Sequence, residues 1–107
     1  MTKRIGLAAG ALAALLLAAS HVIAARPPAV DIKDFKYGPP ELTVRVGERV
    51  TWTNHDEEPH TVTSAAGDFT STGLSHEETF SRTFTRPGRY AYFCALHPQM
   101  KATVVVR

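Results

Sequence analysis

Apolar and polar residues alternate with a period of two along most of the chain, the signature of half-buried strands. Leu42, Val44 and Val46 alternate with Thr43 and Arg45, Gly47-Glu48 marks a turn, and Val50 and Trp52 then alternate with Thr51 and Thr53. That succession predicts a hairpin. Asn54 to Pro59 is polar and reads as a loop, and His60 to Thr63 as a short strand. Ala65 to Ser75, with Gly67, Gly73 and several Ser and Thr, reads as a long loop or an edge region. Glu78 to Thr85 predicts a strand with Phe80, Arg82 and Phe84 on one face. A sheet edge, where the Arg82 stem can lie over apolar surface, would accommodate that mixture. Pro87-Gly88 signals a tight turn, after which Tyr90, Tyr92 and Cys94 share one face and Phe93 points the other way. Thr103 to Val106 is apolar enough for a sheet interior, and Val30 to Lys33 is a candidate first strand closed by Gly38-Pro39-Pro40. No helical periodicity follows residue 25. Six or seven short strands with these turn signals predict an all-β fold, a Greek-key β-sandwich or barrel.

The first residues break this pattern. Lys3 and Arg4 precede a charge-free run from Ile5 to Ala19, and Val22-Ile23-Ala24 followed by Ala25 offers a cleavage site, so residues 1–24 are expected to be a cleavable signal peptide. Residues 25–107 then form the mature domain, and the protein is expected in the periplasm. An uncleaved anchor is the competing reading, since Ile5 to Ala25 reaches 21 residues, but the run lacks the steady apolarity of a membrane span.

Removing the leader changes the charge argument. The full chain has 12 Lys plus Arg against 10 Asp plus Glu, and Lys3 and Arg4 leave with the leader, so the mature domain is neutral with histidines uncharged. A nucleic-acid surface is not supported. Asp56-Glu57-Glu58 and the set Arg82, Arg86 and Arg89 read as ordinary solvated surface, and His55 and His76 as exposed loop residues. Trp52, Tyr90 and Tyr92 are expected in the core. A mature domain this small needs a staple beyond its core, and the single cysteine, Cys94, allows no internal disulfide.

The segment Cys94-Ala95-Leu96-His97-Pro98-Gln99-Met100 supplies a thiolate, an imidazole and a thioether in a short loop between two strands. Thiolate and thioether are soft donors that favour Cu(I), and imidazole suits Cu(II) as well. Two histidines, one cysteine and a weak axial methionine make an electron-transfer copper site, so a second histidine is required. His60 is the best candidate, because Pro59 fixes its own backbone angle and restricts Glu58, giving a stiff approach. Copper would then be the missing staple. Two other classes compete. Copper storage would favour Met- or His-rich tracts, and the chain has only Met1 and Met100. A thiol hydrolase built on Cys94 would need a cleft that so small a domain hardly offers.

Val50-Thr51-Trp52-Thr53-Asn54, Pro59-His60-Thr61-Val62 and Pro87-Gly88-Arg89-Tyr90, leading into the Cys-His-Met loop, together resemble the cupredoxins, the small blue-copper proteins, over essentially the whole mature chain. The C-x-x-H-P-x-M spacing most resembles the amicyanin type, shorter than that of plastocyanin or pseudoazurin. The resemblance implies a β-sandwich holding one mononuclear type 1 copper, with His60, Cys94 and His97 as strong ligands, Met100 as the axial one, and no substrate turnover. It implies a monomeric carrier that passes single electrons between transient redox partners. A periplasmic dehydrogenase as donor and a c-type cytochrome as acceptor are the partners the amicyanin type suggests. In relatives the C-terminal histidine presents its edge to solvent, so His97 is the expected electron exit, with Leu96, Pro98 and Pro39-Pro40 as candidates for an apolar patch and Phe93 for a second surface. One departure is Thr61, where many members carry Asn. The hydrogen bonds that clamp the copper loop are therefore expected to differ.

Overall fold

The computed structural model describes residues 26–107, and the leader expected over residues 1–24 lies outside them. The described residues form eight strands: β1 (Ala29–Lys33), β2 (Lys36–Gly38), β3 (Glu41–Val44), β4 (Arg49–Asn54), β5 (Thr63–Ser64), β6 (Thr79–Thr83), β7 (Gly88–Phe93) and β8 (Lys101–Val106). They form two four-stranded sheets, ordered β2-β1-β4-β6 and β3-β8-β7-β5. Each is mixed, because β1 pairs parallel to β4 and β3 parallel to β8. The all-β sandwich expected from the alternation is the fold observed.

The inward faces of the two sheets meet in one core. Val30 and Ile32 of β1, Val50 and Trp52 of β4, Tyr92 of β7 and Val104 and Val106 of β8 are all buried there. Trp52 is the centre of an aromatic cluster, with ring centroids 5.5 Å from Tyr92, 5.7 Å from Phe80 and 6.5 Å from Phe84. Full burial of an indole that size removes a large apolar area from water, about 1.5–3 kcal/mol on the scale of other large apolar side chains. β6 is an edge strand, and the Arg82 guanidinium lies 4.6 Å from the Phe69 ring centroid and 5.7 Å from that of Phe84. The odd charge on an apolar face is thus placed as its sequence context suggested.

Three local expectations need correction. β3 and β4 do not form a hairpin: β3 pairs with β8 and β4 with β1 and β6, so the chain crosses between sheets at Val46-Gly47-Glu48. Gly47 adopts φ +94° there and its N–H donates to the Phe84 carbonyl at 2.6 Å, which ties the crossing to the neighbouring strand end. Alternation reports which face is buried, and both strands bury a face from opposite sides of the same core. Second, the first strand does not simply end at Gly38-Pro39-Pro40. It turns at Asp34-Phe35 into β2, with Lys33 opposite Lys36. Third, the strand expected at His60 to Thr63 is reduced to Thr63–Ser64, with His60 in a single bridge to Leu74 and Thr63 in another to Thr70. The segment up to Ser75 doubles back antiparallel along it.

Candidate metal centre

At one end of the sandwich the Cys94–Met100 loop joins β7 to β8. It is closed by its own backbone: Cys94 N–H donates to Met100 O at 3.1 Å, His97 N–H to Cys94 O at 3.2 Å and Met100 N–H to His97 O at 2.9 Å. This leaves the loop little slack. Cys94 and Met100 are buried at its two ends, while His97 is half-buried between the exposed Leu96 and Pro98.

His60 arrives from the other sheet through a loop shaped by Asn54. This buried amide donates to the carbonyls of Glu58 and Leu74, both at 2.8 Å, and accepts from Asp56 N–H at 2.9 Å. Every side-chain polar atom of Asn54 therefore has a partner despite complete burial. The His60 backbone then exchanges both hydrogen bonds with Leu74, at 3.1 and 2.7 Å.

The donor atoms converge. Nδ1 of His60 lies 3.2 Å from Nδ1 of His97, and the Cys94 Sγ lies 3.8 and 3.7 Å from those two nitrogens. All three fall within 4.8 Å of one another. One ion with bonds of about 2.0–2.1 Å to nitrogen and about 2.3 Å to sulfur could reach all three donors at this spacing. The far side of His60 fixes its role: Nε2 lies 2.9 Å from the Asp56 carboxylate, so it carries the proton and Nδ1 is left as a lone-pair donor facing the other two. The donor set and its spacing fit a soft metal ion. Cys94 is fully buried, which removes the exposed nucleophile that a thiol hydrolase would need.

Along the sequence Asp56 reads, with Glu57 and Glu58, as solvated surface. Glu57 and Glu58 are exposed, but the Asp56 side chain keeps only 10% of its surface. Besides His60 it accepts the backbone N–H groups of Asp34 at 2.7 Å and Phe35 at 2.9 Å. Burial works against its ionisation, yet the Phe35 and Asp34 N–H groups and His60 outweigh it and hold the carboxyl below its usual range. The only hint in the sequence is the i, i+4 spacing to His60. Tyr37 carries no signal along the chain. Its hydroxyl donates to the Thr61 carbonyl at 2.6 Å, and burial, then the nearby Cys94 and Tyr92, push the phenol far above its usual range, so it is a fixed neutral donor. His76 is exposed as expected, whereas His55 is half-buried between Asp31 at 2.9 Å and Glu77 at 3.3 Å.

A family model described as the cupredoxin-like domain matches residues 6–106. The chain belongs to the cupredoxin-like family. Among curated relatives, amicyanin of Paracoccus denitrificans is 44% identical over 82 residues, covering 72% of this chain and 63% of the relative. Amicyanin-alpha of Methylorubrum extorquens is 38% identical over 104 residues, covering 92% of this chain and 87% of the relative. A solved structure of an amicyanin variant in its reduced Cu(I) form superposes with TM-score 0.73 at 39% identity, covering 79% of this chain and 86% of that one.

In this cupredoxin Thr61, the residue after His60, clamps the loop. Its N–H donates to the Cys94 sulfur at 3.3 Å, and its hydroxyl oxygen accepts from Ala95 N–H at 2.7 Å. A second hydroxyl, that of Thr63, lies 2.8 Å away. Thr61 therefore holds the start of the loop through both its backbone and its side chain. Pro40, Phe93 and Pro98 line a separate groove on the outer face of the second sheet, whereas Leu96 is freely exposed beside His97.

Proposed function

We propose that this cupredoxin is an exported blue-copper electron carrier that holds one type 1 copper ion through His60, Cys94 and His97, with Met100 as axial ligand. The observation that carries the reading is the convergence of two imidazole nitrogens and one buried sulfur within 3.2 to 3.8 Å, the proton of His60 being held on the opposite side of its ring. Copper bound there would cycle between Cu(II) and Cu(I) and so supply the one-electron chemistry.

The chain's own residues do the rest. The self-bonded Cys94–Met100 loop and the Asn54-shaped approach to His60 keep the donors in place, so little rearrangement need accompany electron transfer. With four protein ligands no position is left open for a substrate, which argues for a carrier and against an enzyme. Met100, buried at the end of the loop, would supply the weak thioether donor. His97 is the ligand nearest solvent and gives the electron its exit, beside the exposed Leu96. A weakly charged, largely apolar contact of this kind suits redox partners that must dissociate quickly. Cleavage after Ala24 and release into the periplasm complete the proposal, with a dehydrogenase and a c-type cytochrome as the classes of partner.

The test is an optical spectrum of the copper-loaded mature protein and of Cys94→Ser. An intense blue band that bleaches reversibly on reduction, and vanishes in the variant, is the expected result. A colourless copper complex in the unmodified protein would overturn the proposal.

A further inference from the structure

The bend between β1 and β2 breaks the rule for its own turn type. Asp34 and Phe35 form a two-residue hairpin loop with φ of +54° and +58°, the type I′ geometry in which the second position strongly favours Gly. An aromatic residue in the left-handed region is an outlier, and such outliers persist where the surroundings over-determine them. Here the Asp56 carboxylate accepts both N–H groups of the bend, and the same carboxylate holds Nε2 of His60. The strained turn is thereby locked to the metal centre.

Its product is the placement of one ring. The Phe35 centroid lies 4.8 Å from those of both His60 and His97, in edge-to-face contacts at 83° and 78°. The two imidazoles need this to different degrees. His60 is anchored at its outer nitrogen by Asp56, whereas no hydrogen bond to Nε2 of His97 is found among the described residues. His97 also sits on the solvent side, where its ring is free to turn about its own side-chain torsions unless something stops it.

We propose that Phe35 is a positioning residue for His97, wedged against both imidazoles so that the solvent-side ring stays turned toward the metal. This rests on the copper reading above. Phe35 gives His97 the restraint that Asp56 gives His60 at Nε2, and Asp56 couples the two imidazoles by fixing one directly and the other through the Phe35 turn.

The copper-loaded mature protein is compared with Phe35→Gly and Phe35→Tyr, measuring Cu(I) affinity by competition with a chelator and thermal unfolding of the metal-free forms. Phe35→Gly suits the turn, so its metal-free form should melt at or above the wild-type temperature. Its Cu(I) affinity should nevertheless fall by about tenfold, the scale of an aromatic contact, with Phe35→Tyr restoring most of it. Wild-type affinity in Phe35→Gly would overturn the inference. So would a metal-free Phe35→Gly that melts well below wild type, since Phe35 would then be an ordinary structural residue. A wild-type protein without a blue band would sink the copper reading itself, whereas a blue wild type with an unaffected Phe35→Gly sinks only the role of Phe35.

Discussion

Replacing Thr61 by Val removes one hydroxyl and almost nothing else, because the two side chains have nearly the same shape. The hydroxyl oxygen accepts Ala95 N–H at 2.7 Å across the start of the ligand loop. Thr63, its other partner, keeps Thr70 at 3.0 Å and is half-buried, so it loses little. The cost is therefore close to one neutral hydrogen bond, about 1 kcal/mol, kept toward the lower end of the orphaned-donor range because Ala95 borders solvent. For a domain of this size that lowers the melting temperature by roughly 4–8 °C. Amide exchange at Ala95 should accelerate about fivefold if it opens through the loop alone. The bond from Thr61 N–H to the Cys94 sulfur comes from the backbone, so the blue band should survive. Thr61→Ser keeps the hydroxyl and is the control, melting above Thr61→Val. A Val variant that melts with wild type and protects Ala95 equally well would refute the clamp.

Other substitutions probe the site from different sides. Asp56→Asn leaves one oxygen where three N–H groups converge and removes a charge-assisted bond to His60, so unfolding in urea should show a loss of about 2 kcal/mol; an unchanged midpoint would mean that the carboxylate is replaceable. His55 has its pKa raised by Asp31 first, with burial opposing and Glu77 assisting. A raised folded-state pKa stabilises below the unfolded value of about 6.5 and loses that contribution as pH rises through the folded value, so the stability gap between wild type and His55→Gln should shrink from pH 6 to pH 8.5. For Asp56 the sign is reversed, and its contribution should disappear on acidification below about pH 4, as acid titration of unfolding in wild type and Asp56→Asn can show. Met100→Leu should retain copper and the blue band but raise the reduction potential in voltammetry, and complete loss of the metal there would contradict a weak axial ligand.

The sequence by itself determined the fold class and the candidate ligand loop. Period-two alternation identifies strands wherever one face is buried, and Cys94, His97 and Met100 are neighbours along the chain, so their chemistry can be recognised without coordinates. His60 was legible through its proline-stiffened approach and through family likeness. Tertiary structure decided the rest. Whether β3 pairs with β4 or with β8 depends on which sheet each joins, and both choices bury the same residues, so local pattern cannot separate them. Asp56 looked like one of three surface acids because its partners, the turn at Asp34-Phe35 and the outer nitrogen of His60, meet it only in the folded chain. Phe35 likewise gave no signal along the chain, since its strained turn and its contact with two imidazoles exist only once β1, β4 and the Cys94–Met100 loop are brought to one end of the sandwich. Periodicity reads burial, and proximity across sheets is a property of the packed molecule.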